Sequence, residues 1–202
     1  MKILLLLLTM VISFSAFSKT KVGNLEIGDK AVLTDVKMED ISGDKVSLKD
    51  AAKENGLLVM FSCNTCPFVL KWEDRYLEVK SWADRNDVGM VVLNSNHQKH
   101  QSSESLEAMA AHAKENNYNF NYLLDKESAI ANAFGGQTTP HAFLFDNEMN
   151  LVYKGAIDDN YKSAEDVKAT YLKDAISNLA SGEKIAVTET KPVGCSIKRK
   201  LD

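Results

Sequence analysis

The feature that most constrains this chain is the continuous run Leu57-Leu58-Val59-Met60-Phe61-Ser62-Cys63-Asn64-Thr65-Cys66-Pro67. Its apolar part, bounded by Gly56 and Ser62, has the length and flanks of a buried central strand rather than a helix. From Pro67 the period changes. Phe68, Trp72 and Tyr76 follow at intervals of four, and Leu70 and Leu77 lie seven apart, which is the broad apolar side of a helix. Proline suits the first turn because no N–H is needed there. The two cysteines therefore occupy a joint between a strand end and a helix start.

That joint has its own chemistry. Two cysteines three positions apart can close a small disulfide ring with little backbone movement. Free N–H groups and the positive end of the helix dipole favour thiolate over thiol. A thiolate attacks a disulfide, and a second thiol nearby releases the mixed disulfide so formed. Cys63, at the outer end of the loop, is the expected nucleophile, and Cys66 the resolving thiol. Placement alone also allows an inert disulfide of an exported protein, or half of a metal site. No second Cys or His pair stands at the spacing that zinc would need.

The rest of the chain alternates. Val32–Lys37 and Lys45–Leu48 have strand character around the turn Ile41-Ser42-Gly43-Asp44. Val88–Leu93 reads as a buried strand, Leu106 to Ala113 as a helix, Asn121–Leu124 as a short strand, and Ser128–Phe134 as a helix stopped by Gly135-Gly136. His141–Phe145 and Leu151–Lys154 flank Asp146-Asn147 as an antiparallel hairpin. Ser163 and Asp166 have capping-box spacing before a last helix carrying Leu172, Ala175, Ile176 and Leu179, ended by Gly182. This order favours an α/β fold: a central mixed sheet, helices on both faces and an N-terminal β-hairpin.

Residues 1–18 stand apart. Lys2 precedes an almost unbroken apolar run, Ile3–Phe17, and Ala16-Phe17-Ser18 offers small residues at a cleavage site. Fifteen helical residues reach about 22 Å, short of a roughly 30 Å hydrocarbon core. The run reads as an export signal, residues 19–182 as one domain, and 183–202 as a tail; no later stretch is apolar enough to span a membrane. The chain of 202 residues carries a formal charge of -4, which argues against a nucleic-acid partner. Lys191, Lys198, Arg199 and Lys200 make the tail locally basic and read as solvated.

Thr139-Pro140 precedes the apolar run His141–Phe145, and a proline there belongs at a strand start because it cannot donate to the sheet. Its isomer is open from the residues alone.

Together Phe61–Phe68 and Gly136–Asp146 resemble the thioredoxin-like superfamily, and specifically its exported, redoxin-domain branch of AhpC/TSA type. The resemblance implies catalytic Cys63 and Cys66, a cis Pro140, and a substrate groove shaped by Thr139 and Pro140. The chain departs from thioredoxins proper at Ser62 (usually Trp), at Asn64-Thr65 (usually Gly-Pro), and at Leu57, where a buried acid usually moves protons. Proton transfer must then use water or another side chain. A modestly lowered Cys63 pKa is expected, hence a reductant or isomerase rather than a strong oxidant. Peroxiredoxins carry Pro-x-x-x-Thr-x-x-Cys. Counting back from Cys66 gives Val59 and Cys63, and from Cys63 gives Gly56 and Met60, so neither frame matches.

Cys195 leaves an odd thiol in an exported protein. Either it is idle, or the tail folds back so that it exchanges with the Cys63/Cys66 pair or captures a partner. His141 is a candidate proton carrier or soft-metal ligand, and otherwise a strand residue. His97 and His100 read as solvated, as do Ser103, Glu104 and Glu107. Phe68, Trp72 and Tyr76 read as core. The expectation is an exported, periplasmic, monomeric thiol–disulfide oxidoreductase without cofactor. It would act on protein disulfides or dithiols and be regenerated by a redox partner. The alternatives are a thiol peroxidase and a copper-binding or metallochaperone domain.

Overall fold

Residues 23–201 are described by the computed structural model; the expected export segment lies outside the described residues. In chain order the elements are β1 (Met38–Asp40), β2 (Lys45–Val46), α1 (Leu48–Ala51), β3 (Leu57–Ser62), α2 (Pro67–Trp72), α3 (Tyr76–Arg85), β4 (Gly89–Asn94), α4 (Leu106–Glu115), β5 (Asn121–Leu124), α5 (Ala129–Phe134), β6 (Thr138–Thr139), β7 (His141–Phe145), β8 (Leu151–Gly155), α6 (Tyr171–Ser181) and β9 (Cys195–Ser196). One 3-10 turn, Glu73–Arg75, joins α2 to α3.

β3 organises the molecule because it is buried along its whole length. It pairs parallel with β4 on one side and antiparallel with β7 on the other. The full sheet has seven strands in the order β2-β1-β5-β4-β3-β7-β8. Alternate side chains of β3 serve two cores, as the period of a strand requires. Leu58 and Met60 pack with Val69, Trp72, Val79 and Ile176 from α2, α3 and α6. Leu57, Val59 and Phe61 pack with Leu48, Ile130 and Phe134 from α1 and α5. Helices therefore cover both faces, and Trp72 and Tyr76 lie in the core as the spacing predicts. Phe68 is half-buried against that core.

Three expectations shift. The N-terminal hairpin forms between β1 and β2, with Met38 opposite Val46, rather than from Val32–Lys37. Leu33 takes a left-handed φ of 57°, and Val32, Leu33 and Val36 are exposed, so that stretch cannot extend into the sheet. The last helix begins at Tyr171 rather than near Ser163. The Asn160 side chain accepts the N–H groups of Lys162 and Ser163, which holds that stretch in a loop until the apolar face from Leu172 can pack. His100 is buried rather than solvated, and burial pushes its pKa down. Gly135 and Gly182, with φ of 75° and 71°, end α5 and α6 as their positions suggest.

Candidate active site

β3 and α2 bring Cys63 and Cys66 to the end of the sheet. Ser62 closes β3, and its hydroxyl meets the buried Tyr76 hydroxyl at 2.8 Å. Cys66 caps α2, and Pro67 fills the first helical position. β6 and β7 supply the facing wall, where the Thr139–Pro140 bond is cis, as the resemblance implies. The Thr139 hydroxyl lies 3.3 Å from Cys63 Sγ, and the Thr139 carbonyl oxygen 3.4 Å from Cys66 Sγ. One residue thus faces both sulfurs.

The disulfide is not within the loop. Cys66 is bonded to Cys195, with Cα atoms 6.2 Å apart, and Cys63 is a free thiol. The tail reaches this point as β9, paired antiparallel with β6 so that Cys195 stands opposite Thr139. Gly194 permits the approach, since a Cβ there would lie 2.2 Å from the Thr139 carbonyl oxygen. The tail is held on both sides of Cys195. Upstream, Thr190 donates its N–H to the Lys154 carbonyl at 3.1 Å and its hydroxyl accepts from Ala156 N–H at 2.9 Å. Downstream, Ile197 is buried and donates to the Gln137 carbonyl, Lys198 N–H donates to Asn96 Oδ1, and Arg199 bonds Asn132 and the Gly136 carbonyl. Lys191, Lys198 and Lys200 are exposed as expected, but Arg199 is half-buried in these bonds.

This arrangement corrects the picture of Cys63 as the outer sulfur. It is only 2% exposed and Cys66 5%, whereas Cys195 is half-buried. The Cys63 pKa is raised, not lowered. Burial is the main cause, followed by the negative charge of Glu104. The Thr139 hydroxyl and the N–H groups of Cys66 and Thr65 pull the other way without prevailing.

Glu104 is the residue that sequence reasoning missed. Placed there as solvent-facing, it is 0% exposed. Its carboxylate accepts the Asn64 N–H at 2.8 Å, the Thr65 hydroxyl at 2.7 Å and the Asn94 amide at 2.7 Å. Tyr122 adds a hydrogen bond to Asn64 Oδ1 at 2.9 Å, and the Asn64 amide donates to the Ser103 carbonyl. The two residues between the cysteines are thus clamped to the loop after β4. A buried acid does stand beside the thiols, but from a different element than Leu57.

His141 is buried on the other face of the sheet, paired across from Phe61 and stacked near Phe143 with ring centroids 4.5 Å apart. It borders a cleft of about 420 Å³ shared with Gln137, Lys154 and Pro192. Its Nδ1 accepts the Gln137 N–H at 3.2 Å. Burial, with the nearby Lys154 charge, pushes its pKa to about 3, so it is neutral at physiological pH. The structure does not bring it to the sulfurs. Among the described residues no group of three or more His, Cys, Asp or Glu is placed to hold a metal ion, and no helix is long and apolar enough to cross a membrane.

A mixed sheet with helices on both faces, a strand–Cys-x-x-Cys–helix joint and a facing cis-proline define a thioredoxin-like redoxin. Residues 27–154 match the AhpC/TSA family, and the chain belongs to it. An uncharacterized conserved protein from Geobacillus kaustophilus is 27% identical, with a TM-score of 0.80 over 88% of this chain and 94% of that one. A hypothetical protein from Sinorhizobium meliloti 1021 is 30% identical, with a TM-score of 0.80 over 91% of this chain and 100% of the other. The thioredoxin domain of a thiol-disulfide oxidoreductase from Bacteroides vulgatus shares the fold at 21% identity, with a TM-score of 0.54 over 65% and 89% of the two chains. No curated protein matches.

Proposed function

We propose that this protein is an exported thiol–disulfide oxidoreductase that exchanges disulfides with protein thiols, with Cys63 and Cys66 as its working pair. The reading rests on one observation: all three cysteines of the chain meet at the Thr139 edge, two joined and one held free beside them. Cys63 is the attacking thiol, helped by the loop N–H groups and the Thr139 hydroxyl that face its sulfur. Cys66 is the sulfur it attacks. Thr139 and Pro140 form the rim of the groove beside the sulfurs, and the extended, cysteine-bearing segment held there in register is the chain's own, with Cys195 opposite Thr139. The raised Cys63 pKa means that little thiolate exists at neutral pH. That favours a reductant or isomerase over a strong oxidant. Export rests on the apolar N-terminal segment, and a periplasm-like compartment suits an odd-numbered, redox-active cysteine set.

The test is dithiothreitol-driven reduction of insulin, followed by turbidity. The wild-type chain accelerates the reaction. Cys66→Ser, which breaks both pairings, abolishes the acceleration, and Cys63→Ser slows it at least about tenfold, roughly 1.4 kcal/mol of barrier. Full activity of Cys66→Ser would overturn the assignment.

A further inference from the structure

We infer that Cys195 is the sulfur at which this protein meets its partners, with Cys66 and Cys63 standing behind it as an internal pair. The inference deepens the oxidoreductase reading and rests on it.

Three observations carry it. Cys63 and Cys66 are sealed, whereas Cys195 is half-buried and is followed by the exposed Ser196. The edge of β6, where an incoming extended peptide would pair, is already occupied by β9 in full register, Thr138 with Ser196 and Thr139 with Cys195. The tail is also bonded to the domain on both sides of Cys195, at Thr190 and at Ile197 to Arg199. It is therefore a fixed strand rather than a lid that leaves to admit substrate. A partner thiol reaches the disulfide from the Cys195 side, because the Cys66 side is backed by α2 and the Thr139 carbonyl. The family match ends at Lys154, so Cys195 and β9 lie beyond the matched part of the chain.

The exchange balances as follows. A partner thiolate attacks Cys195 Sγ, the Cys66–Cys195 bond breaks, and Cys66 leaves as a thiolate that takes a proton. The second thiolate of the partner attacks the partner sulfur of the mixed disulfide and releases Cys195, so two electrons have entered and the partner holds a disulfide. In the opposite direction the Cys195 thiolate opens a partner disulfide, and Cys66 displaces the partner thiol from Cys195. The Cys63 thiolate then attacks Cys66 Sγ and Cys195 departs. That last step moves the disulfide inward without net oxidation and frees Cys195 for another encounter.

The experiment uses the mature chain in its tail-bridged form and reduced glutathione as the probe, with acid quenching, alkylation of free thiols and peptide mapping. Glutathione is expected on Cys195, with the newly alkylated thiol at Cys66. Cys195→Ser, left with the enclosed Cys63–Cys66 pair, is expected to react at least about tenfold more slowly, in line with the burial of both sulfurs. Glutathione on Cys63 or Cys66, or an undiminished rate in Cys195→Ser, would overturn the role of Cys195 while leaving the oxidoreductase reading intact. If insulin reduction is instead unaffected by Cys66→Ser, the oxidoreductase reading itself fails, whichever sulfur glutathione modifies.

Discussion

Glu104 adds its charge to the burial that makes Cys63 hard to ionise and also holds the Cys63 loop, and these two effects can be separated by substitution. Glu104→Gln keeps an acceptor for the Asn64 N–H but removes the negative charge facing the sulfur. In the fully reduced protein, the pH midpoint of Cys63 alkylation should move down in Glu104→Gln. An unchanged midpoint would mean that burial alone holds the thiol protonated. The sign on stability follows from the raised pKa: the folded state holds the Cys63 proton more tightly than the unfolded chain. The reduced protein should therefore keep its full stability below the ordinary thiol range and lose some as the pH rises through the folded value. Glu104→Ala removes the acceptor too. It leaves the buried Asn64 N–H unpaired and the Asn94 amide with Tyr122 Oη as its one remaining acceptor, and denaturant unfolding should show a loss of about 3 kcal/mol. None of this is legible from the chain. Glu104 stands among Ser102, Ser103 and Ser105, where an acid ordinarily faces water, and only the return of that loop over the cysteine joint buries it. Cys63 and Cys66 were legible because residue type, spacing and the change of period coincide at one joint.

At the scale of elements, strands that serve the core announce themselves and edge contacts do not. β3, β4, β5 and β7 lie within a residue of their sequence-predicted bounds because each is an apolar run of strand length between breakers. β1 and α6 start later than local pattern suggests, since Leu33 and the Asn160 side chain impose turns that propensity does not report. β6 and β9 are two residues each, too short for any period to be seen. Their pairing depends on Gly194, whose missing Cβ lets the tail lie against the Thr139 carbonyl. Gly194→Ala should cost about 1–3 kcal/mol of stability through that clash and loosen β9 from β6. The measurable consequences are a lower yield of the Cys66–Cys195 disulfide and faster alkylation of Cys63. A fully formed tail disulfide in Gly194→Ala would show that the strand pairing does not position Cys195.

On the scale of the whole molecule, the Cys66–Cys195 bond joins points 129 residues apart, so it ties β9 to the start of α2. A bond with that reach can serve stability, exchange or both. Closing so long a loop is worth about 3–5 kcal/mol on entropic grounds alone, which makes an inert staple the serious rival to a redox centre. The fold class and the joint that carries Cys63 and Cys66 could be read from the sequence. The choice of Cys195 as partner could not, because nothing local to Gly194-Cys195-Ser196 records which distant strand it will meet. What separates the rivals is how easily the bond is given up. The reduction potential of the Cys66–Cys195 disulfide, from glutathione-buffer equilibration with peptide mapping of all three thiols, tests this directly. A redox-active set predicts a value between about -270 and -120 mV, nearer the thioredoxin end, whereas a value below about -300 mV would mark a structural disulfide and contradict the account.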